Sequence, residues 1–442
     1  MKSSNKTVTY TLEAGEFTWE IKPGKSIRAW GFNNQLPGPV LKARQGDTLV
    51  VNVINNLPES TMVHWHGIRL PATMDGTGEV QKPIAPGESF EYRFELPDAG
   101  TFWYHSHQNE TVQMERGMYG GIVVEAEKGP IIDNDRILLL DDMKLTNEND
   151  FKKHGAVGRW IERHDGREGS TNLINGKESM TLHMHAGQVE RWRIVNAASA
   201  RYFRLSLEGR PFIIIGTDGG LLEMARTETE LLITPGERFD ILVGPFEEWE
   251  TFHIETLPYN RITFLRPRKH TYARVHVMEK KASIAVIPEV LSTIEPLAPQ
   301  DATISRKVNL AVEPSLKRGI DFTVNHKMHG LDEPVMVGDL QVWEISNTSL
   351  MDHPFHLHGF FFQVLEENGK APEYKAWKDT INLKPKSKIK IAWTPDNRPG
   401  RWMYHCHILE HHAVGMMANF EVIDPKRPET RQPQAVHGCH VM

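Results

Sequence analysis

Five times in the chain two histidines stand one residue apart, and four of these pairs are His64 and His66 in HWHG, His105 and His107 in WYHSH, His356 and His358 in HPFHLHG, and His405 and His407 in MYHCH. On a strand, residues two apart share a face, so each pair presents two imidazoles side by side. Imidazole is the commonest side-chain ligand of transition metals, and four pairs supply eight. One such pair alone reads as surface or core histidine, and His183 and His185 in LHMHAGQ are read that way. The other four fall in two sets of two at corresponding places in the first and last thirds of the chain, which chance does not explain.

The last pair carries a further donor. Cys406 lies between His405 and His407, and strand alternation turns its sulfur to the opposite face, so thiolate and imidazoles must serve different metal centres. His411 follows Cys406 by five residues, Met416 by ten, and His353 precedes His356 by three. Two imidazoles, one thiolate and a weak axial thioether make a blue-copper electron-transfer set, and soft sulfur favours copper over magnesium or calcium. Met416 taken alone would be an ordinary core methionine; its spacing from the Cys and His makes it the candidate axial ligand.

These residues must be positioned by strands. GDTLVVNVIN starting at Gly46, GQVERWRIVN at Gly187 and GDLQVWEISN at Gly338 are three copies of one segment, each a Gly, a β-rich run and an Asn nine residues on. A second repeat begins with a turn at Pro86, Pro235 and Pro385. The spacing is that of domains rather than of a solenoid. Short runs rich in Val, Ile, Thr and aromatics, broken by Gly, Pro, Asn or Asp, read as an all-β chain of sandwiches or barrels. Turn residues in Glu127–Arg136 and a stiff connector with Pro288, Pro296 and Pro299 place three domains at 1–130, 131–285 and 286–442.

Composition narrows the function. The 442 residues carry 51 Lys and Arg against 57 Asp and Glu, a net charge of −6 that offers no basic field for nucleic acid. Two cysteines against 22 histidines rule out a disulfide framework. No apolar run reaches the roughly 20 residues of a membrane span. The opening MKSSNKTVTY lacks the apolar stretch of a secretory signal.

HWHG, WYHSH, HPFHLHG and HCHILEHHAVGM resemble, in order and spacing, the four copper-binding motifs of the multicopper oxidases, and most closely those of three-domain bacterial laccases. The resemblance covers almost the whole chain. It implies three cupredoxin-like Greek-key domains and four coppers per chain: type 1 on His353, Cys406, His411 and Met416; type 2 on His64 and His356; and the type 3 pair on His66, His105 and His407 and on His107, His358 and His405. It also implies one-electron oxidation of phenols or aromatic amines at type 1. Electrons then pass through Cys406, His405 and His407 to reduce dioxygen to water at the three-copper cluster. The periplasm or the cell exterior is the compartment it implies. Asp75, in TMDGTG, matches the acid that supplies protons in related enzymes, although Asp-Gly also favours a plain turn. Where bacterial relatives commonly have Glu after the type 1 His, this chain has His412, either its replacement or a solvated side chain.

Alternatives remain at this stage. A cuprous or other metal-ion oxidase would use the same centres, but the 17 Met are scattered rather than gathered into an insert that would hold Cu(I). A bilirubin-type oxidase would use them too. A non-enzymatic copper-binding protein is disfavoured because the donor set is complete. Physiological substrate, oligomeric state and the role of Cys439, flanked by His437 and His440, have no signal in the sequence.

Overall fold

In a computed structural model describing residues 5–427, apart from 147, 149, 152–155, 262 and 265–266, the three repeated Gly-to-Asn segments fold alike. Each gives a central strand: Thr48–Asn55, Glu190–Asn196 and Gln341–Asn347. Each strand pairs in parallel with the opening strand of its unit, Thr7–Lys22, Asn134–Met143 or Arg306–Ser315. On its other side it pairs antiparallel with the strand after the Pro-led turn, Ser89–Glu95, Arg238–Val243 or Lys388–Trp393.

The conserved ends of the repeat have one physical reason. Gly46, Gly187 and Gly338 turn the chain with φ of 89°, 76° and 87°, a left-handed region that side chains with a Cβ avoid. Each Asn closes the loop that follows its strand. Asn55 donates to the carbonyls of Glu59 and Ile84 and accepts from Leu57 N–H. Asn196 makes the same three bonds with Arg201, Ile233 and Ala198, and Asn347 with Met351, Leu383 and Ser349. A buried amide fully satisfied in this way fixes the loop leading into the next strand. In the first and last units that loop leads to the first H-x-H motif.

Each unit is two packed sheets, of four and four, six and five, and five and six strands, so the all-β expectation holds. One apolar cluster runs through the first and last units and includes Trp65, Tyr104, Phe355, Tyr404 and Cys406. The middle unit has its own core around Trp192 and Phe239. A smaller cluster with Trp103, Leu139 and Leu409 joins all three. Every H-x-H motif except His183 and His185 sits at the seam between the first and last units. His183 is exposed and His185 half-buried on the strand Met180–His185, away from that seam, as expected. Cys439 and its neighbouring histidines lie outside the described residues.

Candidate metal centres

The duplication is visible at the level of single residues. His64 pairs across the ladder with His105, and His356 with His405. Each end unit therefore brings two motifs side by side, and the two units face each other: His66 stacks on His356 at 3.8 Å between ring centroids, and His64 lies 4.0 Å from His358. All eight imidazoles are buried.

The rings are held by one nitrogen and leave the other free. His64 Nδ1 donates to the Asp75 carbonyl at 2.8 Å, His105 Nδ1 to that of Ser106, His356 Nδ1 to that of Asp379 and His405 Nδ1 to that of Cys406. His358 Nδ1 donates to Asp75 Oδ2 at 2.9 Å, and His66 Nε2 to Asp379 Oδ1 at 3.2 Å. The opposite nitrogens of His64, His66, His105, His107 and His356, and both of His407, are buried with no hydrogen-bond partner, while Nε2 of His358 and His405 face each other at 3.0 Å. Buried polar atoms are almost always paired, so converging orphans mark a ligand set, and fixing the far nitrogen is how proteins orient metal-binding histidines. Burial, together with neighbouring imidazoles, pushes His66, His105, His358, His405 and His407 well below the usual histidine range and His107 down to about 4. They are neutral at pH 7, the state that binds metal.

Cys406 faces the other way, as alternation requires. Its Sγ lies 3.5 Å from His353 Nδ1 and 3.6 Å from His411 Nδ1, and those nitrogens are 3.2 Å apart. Burial pushes the thiol well up and His353 down to about 3, with the buried Arg261 guanidinium adding to the depression at His353. Met416 is buried in the same loop, its carbonyl accepting from Cys406 N–H and its N–H donating to the His411 carbonyl. Ser349 Oγ bonds His353 Nε2, Phe322 stacks on His411 at 4.1 Å, and His411 Nε2 donates to the His164 carbonyl.

Three carboxylates adjoin the histidine cluster. Asp75, buried and one step before Gly76, is more than a surface turn: it braces His64 through its carbonyl and His358 through Oδ2. A Cβ on Gly76 would lie 1.8 Å from the Val63 carbonyl oxygen, so only glycine lets this turn pack on the His64 strand. Sequence reasoning missed the other two. Glu110 reaches His107 at 3.4 Å and His412 at 2.9 Å; burial raises its carboxyl, but those imidazoles outweigh burial and hold it down at about 2. His412 is therefore buried and paired rather than solvated, and its ring stacks on His405 at 4.2 Å. Asp379 braces His66 and His356 and is itself clamped by Arg238 of the middle unit. Nothing in the turn-like KDT around Asp379 or in PGERFDI around Arg238 signals these roles.

Asp75→Asn retains the backbone acceptor for His64 but replaces the carboxylate at His358 Nδ1. Copper retention by the cluster against a chelator is expected to fall about 10- to 100-fold; a turn-only role for Asp75 leaves retention unchanged.

Two buried sets of metal donors at one duplicated seam, the histidine cluster and the Cys406 site, define a multi-site metalloprotein, and the sequence comparisons agree on which. Family models of the multicopper oxidases match residues 13–129, 134–274 and 294–426. The multicopper oxidase mco of Staphylococcus aureus is 30% identical over 95% of this chain and 90% of its own length. The laccase of Bacillus subtilis is 25% identical over 97% and 96%. Among solved structures, a multicopper oxidase of Campylobacter jejuni described as a metallo-oxidase superposes with a TM-score of 0.84 at 31% identity, covering 96% of this chain and 92% of that one. The chain belongs to the multicopper oxidases, with cupredoxin-like domains and copper as the metal. No helix among the described residues is long and apolar enough to cross a membrane.

Proposed function

We propose that the protein is a laccase-type multicopper oxidase with four coppers per chain, which oxidises phenols or aromatic amines one electron at a time. The type 1 ligands are His353, Cys406, His411 and Met416, and the type 2 ligands His64 and His356. The type 3 ligands are His66, His105 and His407 on one side and His107, His358 and His405 on the other, within domains 1–130, 131–285 and 286–442. Copper in these sites supplies one-electron acceptance at the sulfur face and four-electron reduction of dioxygen to water at the histidine face.

The observation that carries the reading is the tripeptide His405–Cys406–His407. Its sulfur lies among His353 and His411, its two imidazoles lie in the cluster, and the Cys406 carbonyl accepts from His405 Nδ1 at 2.9 Å. One covalent path thus links the two centres. Asp75 is assigned the proton supply: Oδ2 bonds His358, while Oδ1 is buried, unbonded and 3.3 Å from His64 Nδ1, an open acceptor beside the cluster. The Cys406 site orients through His353 and His411, and Phe322 excludes water from one face of His411.

Copper-loaded protein is expected to hold close to four metal ions per chain and to consume oxygen with a phenol. A ratio near one, or no oxygen uptake with any donor, defeats the oxidase reading. Oxidation of cuprous ion is the second reading, favoured by the likeness to the Campylobacter jejuni metallo-oxidase. Against it, the helix Ala156–Asp165 beside the type 1 site contains no methionine. Rates with a phenol and with Cu(I), measured side by side, separate the two.

A further inference from the structure

The middle unit lends no histidine to the seam, yet it holds the fifth H-x-H pair, His183 and His185. Their strand, Met180–His185, is the edge of its sheet and pairs in parallel with His270–Met278, which pairs antiparallel with Thr251–Leu257. Alternation sends Leu182, Met184, Val275, Val277 and Phe252 into the core and the residues between them outward. In this register His183 lies opposite His276, and His185 opposite Met278. Three imidazoles and a thioether therefore share one outer face, His183 exposed and the others half-buried.

Two of the three rings are tethered as metal-binding histidines are. His185 Nδ1 donates to the Glu279 carbonyl at 3.1 Å, with the Glu279 carboxylate 3.6 Å away, so Nε2 carries the free lone pair. His276 Nδ1 is paired with Thr251 Oγ1 at 3.2 Å. Holding one ring nitrogen on an oxygen is the same device that orients the buried cluster. No described residue hydrogen-bonds His276 Nε2 or either nitrogen of His183. The His183 ring stacks on that of His276 with centroids 5.9 Å apart and planes 15° from parallel. His183 thus has one imidazole two residues along its strand and another directly across the ladder. Exposed and unbonded, it changes rotamer freely, so an ion on His183 is within reach of both.

We propose that His183, His185 and His276 form a solvent-facing copper(II) site on the middle domain, separate from the centres at the seam. Imidazole suits copper, nickel and zinc, and along the first-row divalent series Cu2+ binds such donors most tightly. The Met278 thioether, on the same face beside His185, adds a soft donor that suits copper. The Glu279 carboxylate supplies negative charge at the rim. Magnesium and calcium are excluded, because they take oxygen donors. The site does not depend on which reducing substrate the enzyme oxidises.

Copper-loaded enzyme, freed of excess metal and then dialysed to equilibrium against Cu2+, tests the site by metal analysis. The wild type is expected to bind one further Cu2+ per chain beyond the copper of the seam. His183→Gln and His276→Gln are each expected to weaken that binding at least about tenfold, because losing a direct ligand costs no less than losing a residue that orients one. His326→Gln, at an exposed histidine of the last domain paired with Glu313, is expected to leave it unchanged. The difference electron paramagnetic resonance spectrum of the added ion should show nitrogen hyperfine splitting in the wild type, lost together with the ion in the two variants. The thermal midpoint and the blue absorption of the Cys406 site should keep their wild-type values in all three variants, since each change is on the surface. Absence of a further ion in the wild type overturns the site. A further ion that persists in both His183→Gln and His276→Gln, or that His326→Gln weakens equally, is adventitious surface binding only and overturns it as well. Binding unaltered by His185→Gln overturns the role of His185.

Discussion

Cys406→Ser is expected to remove one copper per chain, abolish the blue absorption and reduce donor oxidation to background while leaving the remaining coppers in place. Serine is close to cysteine in size, so the buried position is filled, but a hydroxyl is a hard, weak donor where a soft thiolate is needed. The histidine cluster is spared because its rings are anchored elsewhere, His405 by the Cys406 backbone carbonyl rather than by the side chain. Metal analysis, visible absorption and oxygen uptake read the three consequences separately, and a variant that keeps full donor oxidation removes Cys406 from the electron path. The wild-type site carries a pH signature as well. Burial raises the thiol far above neutrality, so the metal-free protein holds Sγ–H. His353, down at about 3, and His411, also well below its usual range, are already neutral at pH 6 to 8. Loading this centre must therefore expel one proton, and its copper affinity rises about tenfold per pH unit over that window and falls as pH drops. Cys406→Ser loses that proton release, which an indicator dye measures during titration with copper.

Much of this site is legible in the sequence because strand alternation is a local rule. It places His405 and His407 on one face and Cys406 on the other with no knowledge of the fold, and the register of His64 on His105 and His356 on His405 completes what the duplication implied. The repeated Asn was visible as a pattern, while its reason, three identical loop-closing bonds in each unit, required coordinates. The bracing residues were illegible for the opposite reason. Glu110 meets His412 across the seam between end units, and Arg238 meets Asp379 across 141 residues of chain. No periodicity links such pairs, and each member alone resembles an ordinary turn or strand residue. The contact of Trp160 with Phe264 is of the same kind: their two segments meet where Asp165 accepts from the Phe264 N–H.

The Arg238 clamp carries the second large effect. Its guanidinium is fully buried and gripped by both Asp379 oxygens, at 2.7 and 2.6 Å, and it also donates to the carbonyls of Asp218, Gly236 and Thr101. Burial alone would push Asp379 up, but the guanidinium outweighs it and holds the carboxyl well below the usual range, so Asp379 stays an acceptor for His66. Arg238→Met fills similar volume and strands that carboxylate. Breaking one side of a buried pair costs about 3–5 kcal/mol, so the thermal midpoint is expected to fall. With Asp379 no longer fixed, His66 and His356 lose their orientation, and copper retention by the cluster should drop about 10- to 100-fold, as for other residues that orient metal ligands. The blue centre on the opposite face keeps its absorption. Arg238→Met combined with Asp379→Asn removes the stranded charge, so part of the stability should return while the weak copper retention persists. That separation distinguishes a positioning role from a purely structural one, because a structural clamp would recover both together. If Arg238→Met matches the wild type in melting and in copper retention, the Arg238 clamp has no part in shaping the cluster.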